Sequence, residues 1–339
     1  MLYQNVSIDC VAHVDAPVRL SSAEIVRRLR PATERLGIRA DVLLEDVVGV
    51  RERRLWDGGT RVSDAAAMAA QRVLAASAVP PGRIGVLINT SVCRDYLEPS
   101  TASVVHGHLG LPDTCENFDV GNACLAFLTG MDIAARMIEH GDIDYALVVD
   151  GESSNEVTDR TIERLNSPDT TAEQFRRELA SLTLGSAAAA MVLGRGERLP
   201  DGHRYRGSVS LAATGFSHLC RGTMDRMVTD SAALLDEGLK LAADTFRLAG
   251  RRLGWIGPEL DEFAVHQVSR VHTNGLVDAL GIDPTRVLAL YPEYGNIGPA
   301  SVPVVLSKLA ETGRLRGGTR VALMGIGSGL NCAMAEVVW

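Results

Sequence analysis

The sequence predicts a layered α/β fold, and three observations carry that expectation. Short runs that are apolar at nearly every position recur along the chain, among them Arg83–Asn89, Tyr145–Asp150 and Phe263–His266. Such runs are strands covered on both faces, since a half-exposed strand alternates polar with apolar. Longer stretches of helical period lie between them, the pattern of helices packed onto a sheet. The third observation is compositional: 339 residues hold Gly 33 but only Phe 6, Trp 3 and Tyr 6, so small side chains let the layers approach closely.

Taken in order, residues 62–76 read as a helix and 83–89 as a buried strand. A further strand ends at Val120, and a helix begins near Cys124 and runs to Gly141. Strand 145–150 is followed by a charged helical insert at about 156–180, then by the apolar run 187–193. Residues 196–202 (Gly-Glu-Arg-Leu-Pro-Asp-Gly) are polar and turn-rich, as a boundary between units is. Helix 231–253 starts at a Thr229-Asp230-Ser231 cap and stops at Gly254. Strand 263–266, a helix at 302–311 and two final apolar runs complete the chain. The two halves rhyme: 146–153 resembles 321–328, and each is followed by another apolar run, 187–193 and 332–338. Two units are therefore expected, 1–200 and 201–339.

Composition excludes several classes of function. A net charge of −8 is the wrong sign for a nucleic-acid footprint. No apolar run approaches the ~20 residues of a membrane span. The opening residues Met1-Leu2-Tyr3-Gln4-Asn5-Val6 lack a charged, apolar leader. The six cysteines (10, 93, 115, 124, 220, 332) show no CxxC spacing, so reduced thiols, no metal site and a cytoplasmic location are expected.

Chemistry concentrates in four segments. In Asp119-Val120-Gly121-Asn122-Ala123-Cys124, the cysteine falls on a strand-to-helix turn, where the helix dipole lowers a thiol pKa and produces a nucleophile. A buried apolar cysteine is the competing reading. His266 stands at a strand end, where open α/β sheets place their sites. Gly295-Asn296-Ile297-Gly298-Pro299-Ala300-Ser301 presents Asn296 in a turn, where such residues serve most often as caps. Gly325-Ile326-Gly327-Ser328-Gly329 lacks GxGxxG and a following helix, so it suits close backbone approach to a substrate better than dinucleotide binding. Arg51, Arg53 and Arg54 read as a solvated charged face, and Leu125, Phe127 and Leu128 as core.

These segments, in this order and with Gly49-Val50-Arg51-Glu52-Arg53-Arg54 near the start, resemble the thiolase superfamily, in particular its β-ketoacyl synthase III-like branch with a Cys-His-Asn triad. Within it the likeness is greatest to the OleA family, the acyl-CoA head-to-head condensing enzymes of long-chain olefin biosynthesis. Ile88–Ser91, Tyr96–Ser103, Met131–Met137 and Asn331–Trp339 carry that finer resemblance. It implies a thiolase fold of two pseudo-duplicated halves in five αβαβα layers. It also implies a homodimer, fatty acyl-CoA substrates and non-decarboxylative Claisen condensation to a 2-alkyl-3-oxo acid, with no metal or cofactor. Olefin- or β-lactone-forming enzymes would act downstream.

By the same resemblance Cys124 carries the acyl group, and His266 and Asn296 hydrogen-bond the enolate oxygen. Backbone amides of Cys124 and Ser328 form the second oxyanion site. Glu98, in Leu97-Glu98-Pro99, removes the Cα proton after reaching across the dimer interface, with Asp95 the lesser substitute. Ser269 stands where carrier-protein-dependent synthases commonly have Asn, so no CoA-contacting or carrier-docking residue is assigned. Two alternatives stay open: a decarboxylative β-ketoacyl synthase III-type ketosynthase or acyltransferase, and a subunit lending Glu98 to a different catalytic chain.

Overall fold

The computed structural model describes residues 2–223, 225–256 and 259–339. Its strands are β1 (Val6–Asp15), β2 (Val18–Ser21), β3 (Glu52–Leu55), β4 (Val86–Asn89), β5 (Glu116–Asp119), β6 (Tyr145–Glu152) and β7 (Ala187–Arg195), then β8 (His203–Ala212), β9 (Cys220–Gly222), β10 (Met227–Thr229), β11 (Glu262–Val265), β12 (Arg320–Gly327) and β13 (Asn331–Val338). Nine of them join in the order β11-β12-β13-β8-β1-β7-β6-β4-β5, while β2 pairs with β3 and β9 with β10.

That order contains one pattern twice. From β1 outward the pairings to β7, β6 and β4 are antiparallel, antiparallel and parallel. From β8 outward the pairings to β13, β12 and β11 repeat the series. The two sets meet where Ser7 and Ile8 face Arg204 and His203. The rhyming segments thus fall on equivalent strands, β6 with β12 and β7 with β13.

Alternation along each strand sorts side chains between layers. Val86, Ile88, Ala146, Val148, Leu323 and Val337 face a central layer built from helices Ala126–His140 and Ser301–Glu311. Leu87, Leu147, Val149 and Ala190 face the other way, against helix Val62–Ala76 and helix Thr101–Leu109. Phe263, Val265, Ala322 and Met324 meet helices Ser231–Leu253 and Arg270–Leu280 on the far side. Helix–sheet–helix–sheet–helix is the thiolase arrangement, and it accounts for strands that are apolar at every position. Leu125, Phe127 and Leu128 are plain core of the central layer.

Several boundaries differ from expectation. β4 starts at Val86, because Pro81–Arg83 forms a separate 3-10 turn. β5 stops at Asp119, whose carboxylate accepts from Thr101 N and Ala102 N and caps the neighbouring helix. The insert is two helices, Asn155–Asn166 and Ala172–Glu178, separated around Pro168, which cannot continue a helix. They pack with the helices Ser22–Arg28 and Arg30–Leu36 around Ile25, Leu29, Ile162, Leu165 and Phe175. Residues 51–54 are not one solvated face. Arg53 is fully buried, its Nη1 donating to Leu20 O and Ser22 Oγ, and burial pulls its guanidinium down to about 10. Among the described residues no helix is long and apolar enough to cross a membrane.

Candidate active site

Both helices of the central layer begin at the same place, and each is preceded by a turn that carries a candidate site residue. Cys124 lies in the 3-10 turn Ala123–Leu125, and the α-helix proper starts at Ala126, two residues later than the sequence suggests. Ala123 holds φ +44, a left-handed conformation that costs a residue with a Cβ roughly 1–3 kcal/mol. Asn122 braces this turn: its Nδ2 donates to Thr129 Oγ1 at 2.9 Å and its Oδ1 accepts from Asn331 Nδ2 at 3.2 Å. The turn packs against the turn Gly298–Ala300 at the head of the other central helix.

The glycine-rich bend closes onto this turn. A Cβ on Gly327 would stand 3.2 Å from Leu125 Cγ and 3.4 Å from Cys124 N, so glycine lets β12 press against the cysteine's backbone. Ser328 follows, half-buried at the start of the turn between β12 and β13.

His266 lies one residue beyond β11, and its N–H donates to Met324 O at 2.8 Å. Its Nε2 is 3.1 Å from Asn296 Oδ1, an oxygen that also accepts from Gly298 N at 3.0 Å. Oδ1 can only accept, so the contact assigns the proton to Nε2, and among the described residues the Asn296 Nδ2 donors are uncommitted. The backbone of Asn296 is clamped on both sides: its N donates to Thr183 O, and its O accepts from Gly185 N. Burial pushes the His266 imidazole down to about 4, so at neutral pH it is an uncharged donor.

Cys124 departs from expectation in its acidity. Burial pushes its thiol up to about 12, with Cys220 and Glu152 adding to the rise. Desolvating a thiolate outweighs the dipole of the adjacent helix here. Two buried carboxyls that sequence reasoning passed over stand at the end of β6. Asp150 accepts from Thr90 Oγ1 at 2.7 Å, and burial holds its carboxyl well above the usual range. Burial pushes Glu152 up to about 7. The run Asp150-Gly151-Glu152 after an apolar strand was the available signal, since charged groups inside a layer need a reason to be there.

Glu98 is not brought to this locus within the chain. It is exposed on a loop tip, and among the described residues it makes no hydrogen bond or ion pair with Cys124, His266 or Asn296. Asp95 has a structural job instead, accepting from Val62 N and Ser63 N to cap helix Val62–Ala76. Ser269 caps helix Arg270–Leu280 by accepting from His272 N. Among the described residues no group of three His, Cys, Asp or Glu side chains could hold a metal.

This geometry has counterparts in known proteins. The 3-oxoacyl-[acyl-carrier-protein] synthase III model matches residues 118–210, and the model for that family's C-terminal part matches 251–339. An acyl-CoA:acyl-CoA alkyltransferase of Xanthomonas campestris is 60% identical over 339 residues, covering 100% of both chains. One from Shewanella oneidensis is 34% identical, again over 100% of both. A beta-ketoacyl-[acyl-carrier-protein] synthase III of Natranaerobius thermophilus is 26% identical over 88% of this chain and 91% of its own. A crystal structure of Xanthomonas campestris OleA with a histidine-to-asparagine substitution superposes with TM-score 0.98 at 60% identity, covering 100% of both chains. A cysteine-to-serine form of the same protein, with bound lauric acid and lauroyl-CoA, matches with the same score, identity and coverage.

Proposed function

The chain belongs to the 3-oxoacyl-[acyl-carrier-protein] synthase III-like family of the thiolase superfamily, alongside the acyl-CoA:acyl-CoA alkyltransferases, and from that premise we propose the reaction it performs. It is an acyltransferase that condenses fatty acyl-CoAs. The finer reading is non-decarboxylative Claisen condensation of two such thioesters through an acyl group carried on Cys124. Structures of the Xanthomonas protein with single substitutions at a glutamate, a cysteine or a histidine support it, because the same intervals separate Glu98, Cys124 and His266 here.

Cys124 gives up its proton as its sulfur attacks the first thioester carbonyl, and the tetrahedral oxyanion takes hydrogen bonds from the backbone N–H groups of Cys124 and Ser328. The C–S bond to CoA then breaks, CoA leaving as the thiol with that proton. A preorganised donor of this kind is typically worth ~3 kcal/mol in the transition state. The second acyl-CoA then loses a Cα proton to Glu98 of the partner subunit. Its enolate oxygen is held by the Nδ2–H of Asn296 and by His266 Nε2–H, which exchanges its Asn296 Oδ1 partner for the enolate. The carbanion attacks the acyl carbonyl and expels the Cys124 thiolate, giving a 3-oxoacyl-CoA. Water hydrolyses that thioester to the 2-alkyl-3-oxo acid and the second CoA.

The cross-subunit placement rests on the loop. Val92, Tyr96 and Leu97 share it with Glu98, and Leu97 is 91% exposed. A large apolar side chain standing this free beside other apolar residues marks a contact surface, here a second copy of the chain. The chain further acts in the cytoplasm, and its product feeds a route to olefins or β-lactones.

The observation that carries the reading is the convergence of the Cys124 turn with a neutral His266 and an Asn296 whose amide donors are free. Purified protein given one saturated acyl-CoA, with no malonyl thioester, tests it. Free CoA and a symmetrical ketone, from spontaneous decarboxylation of the oxo acid, are expected. Turnover only with malonyl thioester would overturn the proposal in favour of a decarboxylating synthase.

A further inference from the structure

The loop that carries Glu98 is rooted in the chain's own site. After β4 the backbone runs along β6, tied to it residue by residue. Thr90 N donates to Val149 O at 2.9 Å and Gly151 N to Ser91 Oγ at 2.9 Å. Val92 N donates to Glu152 Oε1 at 2.5 Å, and Cys93 Sγ to Ser153 O at 3.2 Å. Beyond that root the loop is pinned by Asp95 on helix Val62–Ala76. It ends at Ser100, the cap of helix Thr101–Leu109. Tyr96 to Pro99 project between these anchors.

Glu152 differs from the other anchors in what lies on its opposite side. Its residue is only 5% exposed, and a Cβ on Gly298 would stand 3.6 Å from its Cδ. Gly298 donates to the same Asn296 oxygen that His266 meets. A carboxyl buried this deeply is costly unless it makes hydrogen bonds, and Glu152 accepts one from the loop root. One side chain therefore bonds the base-bearing loop and lies alongside the turn that presents Asn296.

We propose that Glu152 is a positioning residue that fixes the root of the Glu98 loop on β6, so that the base lent to the partner subunit is held in register by the lender's own active site. This rests on the reading that Glu98 acts across a dimer. Substituting Glu152 should then damage the site in the other subunit more than the site in its own.

Mixed dimers separate the two. A differently tagged pair is co-expressed, a lender with Cys124→Ala and an acceptor with Glu98→Ala, so that one complete site remains. Adding Glu152→Ala to the lender is expected to lower kcat for ketone formation about 10- to 100-fold, the cost of ångström-scale misplacement, with KM for acyl-CoA little changed. Glu152→Gln keeps an oxygen for Val92 N–H and should restore most of the rate. The same Ala substitution in the acceptor should cost about tenfold less than in the lender. Acylation of the acceptor's Cys124, followed by mass spectrometry, should persist throughout and shows that the dimers are folded. Equal losses from both placements, or a greater loss from the acceptor, would overturn the proposal. A parent mixed dimer that makes no ketone would instead remove the cross-subunit reading on which it rests.

Discussion

Asn331, the first residue of β13, donates from Nδ2 to Asn122 Oδ1 at 3.2 Å, and so ties a strand of the second half to the turn that presents Cys124 in the first. Asn122 is held again by its own helix through Thr129. The left-handed Ala123 between them needs such bracing, because the surroundings must over-determine a strained residue. Replacing Asn331 by Ala should cost ~0.5–1.5 kcal/mol of stability, the usual worth of one hydrogen bond, and slow acylation of Cys124. Chemical denaturation and the rate of acyl-enzyme formation measure the two effects. A double-mutant cycle with Asn122→Ala should show a coupling term, and strict additivity would deny the link.

The thiol makes a prediction with a definite sign. Burial holds Cys124 near the top of the range, at about 12, so the thiolate is scarce at neutral pH and grows about tenfold per pH unit up to that value. Alkylation of Cys124 by iodoacetamide should keep accelerating from pH 7 to pH 10, where a free thiol of pKa ~8.5 has already levelled off. A plateau near pH 8 would show an activated thiolate instead.

The two half-reactions should come apart by mutation. Cys124→Ser should abolish both stable acylation and condensation. Glu98→Ala should leave Cys124 acylated on exposure to acyl-CoA but lower ketone formation about 10²- to 10⁴-fold, the range for loss of a general base. Mass spectrometry of the protein and gas chromatography of the product read the two steps separately. Undiminished ketone would remove Glu98 from the mechanism.

Glu152 should also leave a mark on stability. Its folded-state pKa is raised, to about 7, so between the ordinary carboxylate range and neutrality the native state binds more protons than the unfolded chain. Stability contributed by the neutral carboxyl is therefore present at low pH and lost as pH rises towards 7. Glu152→Gln cannot ionise, so its melting temperature relative to the parent should climb between pH 5 and pH 7.5. A constant difference across that range would mean that Glu152 does not titrate there.

Much of the molecule was legible along the chain. Helices Val62–Ala76 and Ser231–Leu253 match their periodic stretches, because helical period, Asp230 as a cap and Gly254 as a stop are all local signals. The order of Cys124, His266, Asn296 and the glycine bend identified the family, since each sits in a short turn whose residue types serve its own geometry. Ends of elements were less legible, as at Asp119, where a cap on a neighbouring helix closes the strand early.

Tertiary packing decided the rest. Whether Cys124 is acidic or inert depends on the water it has lost and on Glu152 and Cys220, all supplied by other elements. Arg53 looked like surface and is core, because the paired strand β2, the Ser22 hydroxyl and the turn at Gly295 close over it. Glu98 was found by resemblance, yet its place at the tip of a loop anchored by Glu152, Asp95 and Ser100 exists only in three dimensions. A turn is written in consecutive residues, so the chain spells it out. Desolvation and the aim of a charge are summed over neighbours that folding brings together from everywhere else.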